Sequence, residues 1–414
     1  MGFKRRSLTS LLLASTMGVT VALTGWAGWA ASAATPATTS AGYANAAGSF
    51  IITLRPGVDP GTAAGDLARS KGAAVGHVYR HALRGFSARL TPAALKAVSN
   101  DPRVATVVPD GQVRITAQTV PAGIARIGGT ESSAASGDGR GSVDVDIAVI
   151  DTGIDAKHRD LNVVGGVNCV TGNLTYNDLN GHGTHVAGTA AAKDDKIGVV
   201  GVAPGARLWA VRVLDSNGNG LFSSIICGID WVTAHAGTIE VANMSLGGAG
   251  AAGSCTDGGM RQAICRSVAA GVTYVVSAGN AGSDAGGFVP ARYPEGITVS
   301  AITDFDGEAG GFGSPTCAYG TDDTFAGFSN FGGAVDLTAP GVCVLSTWRG
   351  GGYRSISGTS MASPHVAGAA ALYLSTHRGA SPAAVKAALI GAGTFDWNGD
   401  PDGIQEPLVN VSGF

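Results

Sequence analysis

From residue 145 onward, short runs of consecutive apolar residues alternate with longer stretches at helical spacing. The runs at 145–150, 207–214, 241–246, 272–277 and 296–302 are rich in valine, isoleucine and alanine. Uninterrupted runs of that kind suit strands buried on both faces. Between them, 182–192, 223–234 and 259–270 read as helices, and 335–338 as a further strand. The alternation predicts an α/β fold, doubly wound, with a mainly parallel sheet and helices on both faces. Residues 49–116 have a different rhythm. Strands are expected at 50–54, 75–79, 85–90 and 104–109, and helices at 62–71 and 91–100. The second helix opens on Thr91-Pro92, a capping residue before a proline at the first helical position. A β-α-β-β-α-β order predicts a small ferredoxin-like α+β domain.

The first 33 residues fit neither unit. Lys4-Arg5-Arg6 precedes an apolar stretch from Leu8 to Leu23, and Ala31-Ser32-Ala33 supplies small residues at its end. This is the layout of a secretory signal peptide; Ser and Thr interrupt the apolar run, which argues against a membrane anchor. Residues 34–48, rich in Ala, Thr, Ser and Gly, read as a linker. The expected divisions are therefore 1–33, 34–48, 49–116 and 117–414, with a secreted, extracellular product.

Charge sharpens the division. The chain carries 27 Lys/Arg and 30 Asp/Glu. Residues 34–116 hold nine basic and four acidic residues, net +5, while residues after 116 hold 15 and 26, net −11. A basic unit before an acidic one suggests mutual attraction, and the acidic part argues against nucleic-acid binding. All six cysteines (Cys169, Cys227, Cys255, Cys265, Cys317, Cys343) follow residue 117. An even set in an exported chain reads as three disulfides.

The candidate chemistry gathers at element ends. Gly358-Thr359-Ser360-Met361-Ala362-Ser363-Pro364-His365 opens a run of small residues reaching Leu374. It predicts a tightly packed helix starting near Ser360, with Pro364 in its first turn, where its missing N–H is harmless. Free N–H groups at that end favour an anion, as an acyl-transfer nucleophile requires. A plain N-capping serine is the other reading. Asp151 ends the first long strand and Asn280 follows another, while His182 opens a helix. In an open parallel sheet such positions meet along the carboxyl edge. A nucleotide-binding reading fails, because Asp151-Thr152-Gly153-Ile154-Asp155 stands where a G-x-G-x-x-G would be needed.

Val149-Ile150-Asp151-Thr152-Gly153, Gly181-His182-Gly183-Thr184-His185-Val186-Ala187-Gly188 and the serine segment together resemble the subtilisin-like serine proteases, in that family's order of Asp, His and Ser. The resemblance implies a secreted, autoprocessed endopeptidase acting on protein or peptide substrates through Asp151, His182 and Ser360. A binding scaffold that had lost catalysis would lack a triad member, and none is missing. Asn280 would complete the oxyanion hole. Ser245, Leu246, Gly247 and Gly248 would form one edge for an extended substrate, and Gly218 and Gly220 the other, with Phe222 lining a side pocket. Gly247 and Gly279 would leave the primary pocket open and uncharged, so a broad, apolar-leaning specificity is expected. His185 and His365 are expected to pack and hydrogen-bond.

Residues 49–116 resemble the family's inhibitory propeptide, which implies an intramolecular inhibitor and folding aid. Ala117-Gln118-Thr119-Val120-Pro121 resembles a mature N-terminus, so cleavage is expected between Thr116 and Ala117. The enzyme is expected to act as a monomer, with no membrane partner after signal removal. The resemblance further implies a structural Ca²⁺ site from the Gln118 side chain, the Asp160 and Asp195 carboxylates, and the Lys193, Ile197 and Val199 carbonyls. An ordinary loop with Lys196 neutralising Asp194 or Asp195 is the alternative. For the cysteines, Cys255 with Cys265, Cys317 with Cys343 and Cys169 with Cys227 is one of fifteen open connectivities. The tail from Asp396 to Asp402 resembles a calcium loop superficially. Counted from Asp396, its sixth position is Pro401 and its twelfth Pro407, so an acidic surface turn is expected.

Overall fold

A computed structural model describes residues 45–111, 118–170, 172 and 175–414. The expected signal peptide, most of the linker and the Thr116–Ala117 junction lie outside these residues. The chain divides into two compact units, Met1–Arg114 and Ile115–Phe414.

In the first unit the elements are β1 (Asn45–Leu54), α1 (Pro60–Lys71), β2 (Ala74–Tyr79), β3 (Gly85–Arg89), α2 (Pro92–Ser99) and β4 (Val104–Gly111). The sheet is antiparallel in the order β2-β3-β1-β4. β1 begins inside the stretch read as linker. α1 starts two residues earlier than its apolar spacing suggested, because the Asp59 side chain accepts from Thr62 N at 2.8 Å and Pro60 takes the first helical position. Ile52, Leu54 and Phe86 from the sheet meet Leu67 and Val98 from the helices in one buried core.

The second unit opens with a short helix α3 (Ala122–Arg126) and then winds through β5 (Asp146–Asp151), β6 (Val163–Asn168), α4 (His182–Ala191), β7 (Arg207–Arg212), α5 (Phe222–Ala234), β8 (Val241–Met244), β9 (Gly248–Ala249), α6 (Met260–Ala269) and β10 (Thr273–Ser277). There follow β11 (Phe288–Val289), β12 (Ile297–Thr303), β13 (Thr324–Phe325), β14 (Leu337–Pro340), β15 (Val344–Trp348), β16 (Gly352–Ile356), α7 (Thr359–Thr376) and α8 (Pro382–Ala392). The parallel strands lie in the order β6-β7-β5-β8-β10-β12-β14, and β13 adds to β12 antiparallel. Successive side chains of a strand point to opposite faces. Ile147 and Val149 therefore join α4 and α7 in one core, while Ala148 and Ile150 join α5 and α6 in another.

Several expectations are corrected. The strand expected to reach residue 214 stops at Arg212, because Val213 N and Leu214 N both turn onto the Asp151 carbonyl, at 2.8 and 3.1 Å. β6 was not foreseen. Gly165 and Gly166 dilute its pattern, yet a Cβ at either would meet the Trp209 ring or the Ala210 backbone, so the strand is made of what its neighbour β7 leaves room for. The Gly/Ser-rich stretch 132–142, whose composition suggests flexibility, is held in place: Ser136 is buried, and Gly137 N and Gly139 N donate to Asp194 at 2.8 and 2.9 Å. The disulfides join Cys169 to Cys227, Cys255 to Cys265 and Cys317 to Cys343. Buried Arg126 sits among Asp323, Asp304 and Asp396 at 2.9, 3.2 and 3.3 Å.

Candidate active site

α7 begins at Thr359, with Gly358 as its cap, so Ser360 is its second residue. Pro364 lies in the second turn, not the first. It cannot donate to the Ser360 carbonyl four residues back. That carbonyl is caught instead by the Ser245 hydroxyl at 2.8 Å, which ties the start of α7 to the end of β8. The Ser360 hydroxyl in turn donates to the Ser245 carbonyl at 3.2 Å. Close approach continues along α7: a Cβ at Gly368 would stand 2.5 Å from Val202 Cβ and 2.9 Å from the Ala190 carbonyl of α4.

Asp151 is fully buried at the end of β5 and His182 is the first residue of α4. His182 Nδ1 lies 2.8 and 3.0 Å from the two Asp151 oxygens. Thr152 N donates to Asp151 Oδ1 at 2.7 Å. Burial pulls the His182 pKa down, but the Asp151 charge and hydrogen bond, with Asp178 behind them, more than offset it, so the pKa stands above its ordinary value. No hydrogen bond joins Ser360 to His182 among the described residues. The two flank the Ser245–Leu246–Gly247 strip instead, which borders two clefts. One, of about 610 Å³, is lined by His182, Gly218, Gly220, Leu221 and Phe222; the other, of about 310 Å³, by Ser360, Asn280, Gly279 and Phe288.

Asn280 Oδ1 accepts from Thr359 N and Thr359 Oγ1 at 2.8 and 2.9 Å, which leaves its amide nitrogen free to donate. A Cβ built on Gly358 would stand 3.5 Å from Asn280 Nδ2 and 3.7 Å from Ser360 N, so both donors border one small space. Leu246 and Gly247 carry no backbone hydrogen bond among the described residues, whereas Gly248 and Ala249 pair with Val289 and Phe288. The open edge is therefore short. Across from it, Asp215 Oδ1 accepts from Asn217 N and Asn219 N at 2.8 and 2.9 Å and shapes the Gly218–Gly220 turn.

Two positioning residues escaped the sequence reading. Buried Asp178 accepts from Asn180 N, Gly181 N and Thr152 Oγ1 through Oδ1 (2.8, 2.8 and 2.9 Å), and from Thr184 through Oδ2, pinning the start of α4. An aspartate just ahead of a helix start was the available signal. Asn330 braces the 278–283 turn through the Ala278 carbonyl and Ala281 N, both at 2.9 Å, and nothing in its local sequence marks it. His185 and His365 are buried against the Val344 and Met361 carbonyls, and burial lowers them to about 3 and about 4.

Residues 142–401 match the model of the Subtilase family, and residues 49–116 that of Peptidase inhibitor I9. The chain belongs to the subtilase family. Subtilisin NAT of Bacillus subtilis subsp. natto is 37% identical over 409 residues, 97% of each chain. Subtilisin DY of Bacillus licheniformis is 41% identical over 299 residues, 71% of this chain and 98% of the relative. The crystal structure of a cold adapted subtilisin-like serine proteinase matches with a TM-score of 0.56 at 37% identity, covering 66% of this chain and 90% of that one. This subtilase is a serine endopeptidase with an I9-type propeptide domain.

Its nominated calcium loop has two buried oxygens without a partner, Gln118 Oε1 and Asp160 Oδ1. The Gln118 amide nitrogen stands 2.6 and 3.2 Å from the Lys193 and Val199 carbonyls, so three nominated groups converge. Burial is the main reason the Asp160 carboxyl is raised to about 6. Gly198, at φ +61°, passes so close to Asp160 and Tyr353 that no Cβ would fit. Lys196 forms no ion pair with Asp194 or Asp195 among the described residues; Asp195 instead accepts from Ile197 N at 3.2 Å. A donor set made of oxygens, two of them buried and bare, suits a hard cation.

Proposed function

We propose that this chain is made as a secreted precursor, cuts itself near Thr116–Ala117, and then hydrolyses peptide bonds through Ser360, His182 and Asp151. The observation that carries the reading is buried Asp151 paired at 2.8 Å with partly exposed His182, set across the Ser245–Gly247 strip from a serine at a helix start. For catalysis the Ser360 hydroxyl would leave the Ser245 carbonyl, to which it now donates at 3.2 Å, and donate to the His182 imidazole. His182 accepts the proton as Ser360 Oγ bonds to the substrate carbonyl carbon. Asn280 Nδ2 and Ser360 N donate to the oxyanion. His182 then protonates the departing amine, and water repeats the sequence in reverse to free the acid. Asp151 holds the imidazole tautomer and steadies its charge.

The cleft beside Ser360 contains no charged side chain, which supports apolar or aromatic residues before the scissile bond. An extended substrate would add to Leu246 and Gly247 as a strand. Calcium would be held by Gln118, Asp160, Asp195 and the carbonyls of Lys193, Ile197 and Val199, tying the new N-terminus to the body. The basic 49–116 domain would inhibit the acidic enzyme, less tightly at high salt. A serine-reactive phosphonate should label the processed wild type and not Ser360→Ala, and the variant should remain an uncut precursor. Processing or peptidase activity at the wild-type level in Ser360→Ala would overturn the reading.

A further inference from the structure

The stretch from Asp396 is an exposed acidic turn over most of its length, as expected, but it is closed and anchored by buried residues. Trp397 is 2% exposed, and its Nε1 donates to the Glu406 carbonyl at 3.0 Å. Gln405 Nε2 donates to the Trp397 carbonyl at 2.6 Å, so residues 397 and 406 clasp the loop between them. Inside the clasp, Asp402 N donates to Asp400 Oδ1 at 3.3 Å and Ile404 N to Asp402 Oδ1 at 2.9 Å.

Glu406 is only 5% exposed, and its Oε2 is buried with no hydrogen-bond partner; Asp400 Oδ2 is equally bare. Asp400, Asp402 and Asp336, all acidic, are charged neighbours of Glu406. Asp336 already has its own cation, Lys386 at 2.8 Å. No ion pair to Asp400, Asp402 or Glu406 is formed among the described residues. The acidic group around Asp304 and Asp323 is different, because Arg126 stands within 3.2 and 2.9 Å of them. A buried carboxyl oxygen with no donor or cation beside it is costly to ionise, and a bound metal is one remedy.

Counting from Asn398 and not from Asp396 changes the motif. Asn398, Asp400 and Asp402 take the first, third and fifth positions, Gly403 the sixth, Ile404 the seventh and Glu406 the ninth. In a calcium loop these are the side-chain ligands, the glycine of the sharp turn, a carbonyl ligand and a further carboxylate. Gly403 has φ +79°, the conformation that turn requires. The twelfth position is Val409, so Glu406 replaces the usual glutamate at the loop's end.

We propose that residues 398–406 form a second calcium site, separate from the one at Gln118 and Asp160. Its ligands are the Asn398, Asp400, Asp402 and Glu406 side chains and the Ile404 carbonyl. All five are oxygens and three are anionic, which selects Ca²⁺ over transition metals. Calcium there braces the C-terminal segment against β13, where Asn398 N donates to the Asp323 carbonyl and Phe325 N to the Asn398 carbonyl, both at 2.8 Å.

The test is equilibrium dialysis with radioactive calcium on mature enzyme blocked by a phosphonate. Wild type, Asp402→Asn, Glu406→Gln and Asp160→Asn are compared, with thermal unfolding measured in calcium and in chelator. Asp402→Asn and Glu406→Gln should each weaken one calcium by about tenfold or more and leave the calcium lost in Asp160→Asn in place. In chelator, Glu406→Gln should unfold at about the wild-type temperature, because Oε2 has no partner there to lose. In calcium it should unfold below wild type. Asp402 is exposed, so Asp402→Asn reports binding without risk to folding. Unchanged stoichiometry and affinity in both loop variants would overturn the proposal, as would equal destabilisation of Glu406→Gln with and without calcium.

Discussion

In the cleft every buried charge is met, whereas in the two acidic loops outside it buried oxygens are left bare. Asp151 receives His182 and the Thr152 N–H, and Asp178 accepts from five donors. Asp160, Asp400 and Glu406 each keep an oxygen with no partner. The cleft is organised by the chain itself and needs nothing added to hold its geometry. The loops, on the proposals above, are completed by calcium. The Subtilase match, residues 142–401, takes in the whole cleft but leaves Gln118 of one loop and Asp402 and Glu406 of the other outside it.

The largest effects should fall in the self-sufficient region. His182→Ala should cut turnover by about a millionfold and Asp151→Ala by somewhat less, magnitudes carried over from a member of the same family. In wild type the raised His182 pKa sets the acid limb of kcat/KM above 6.5, since only neutral imidazole accepts the Ser360 proton. The sign for stability is opposite. The Asp151–His182 ion pair stabilises the fold below the unfolded pKa, and that contribution is lost as pH rises through the higher folded one. An acid limb well below 6.5 would break the link between this pair and the rate.

Next in size is Asp178, which touches no substrate and acts through the start of α4. Asp178→Asn should lower kcat by about a hundredfold at most, with KM little changed. It should also move the acid limb to lower pH, because the Asp178 charge helps to raise His182. A purely structural role would reduce activity without moving that limb. The smallest effect on rate, and the one that sharpens the contrast, concerns calcium. With calcium about a hundredfold above its dissociation constant, a site adds about 2.7 kcal/mol of stability. Chelator should therefore shorten the thermal-inactivation half-life of mature enzyme while leaving initial kcat nearly unchanged. Asp160→Ala should show part of that loss even in calcium. A wild-type half-life indifferent to chelator would remove the distinction between the two regions.

Much of this was legible beforehand because it is local. Consecutive apolar residues mark β5, β7, β8 and β10, since a strand buried on both faces needs them whatever lies beside it. Asp151, His182 and Ser360 stand out because each occupies a strand end or helix start within a tight glycine-bearing segment. Other features have their cause in distant residues. β6 exists because Trp209 and Ala210 leave room only for glycine. The position of Pro364 in α7 was misjudged because its tolerance depends on Ser245, more than a hundred residues away, catching the Ser360 carbonyl. The tail is the exposed acidic turn that was expected over most of its length, but the spacing of its acids fits more than one calcium-loop frame. Burial of Glu406 and the turn at Gly403 are the observations behind the frame proposed above. Local sequence determines which segments can be strand, helix or turn, because backbone preference and side-chain period act over a few residues. Which polar atoms are satisfied, and which are left without a partner, depends on groups brought together from across the chain, and only the packed structure decides it.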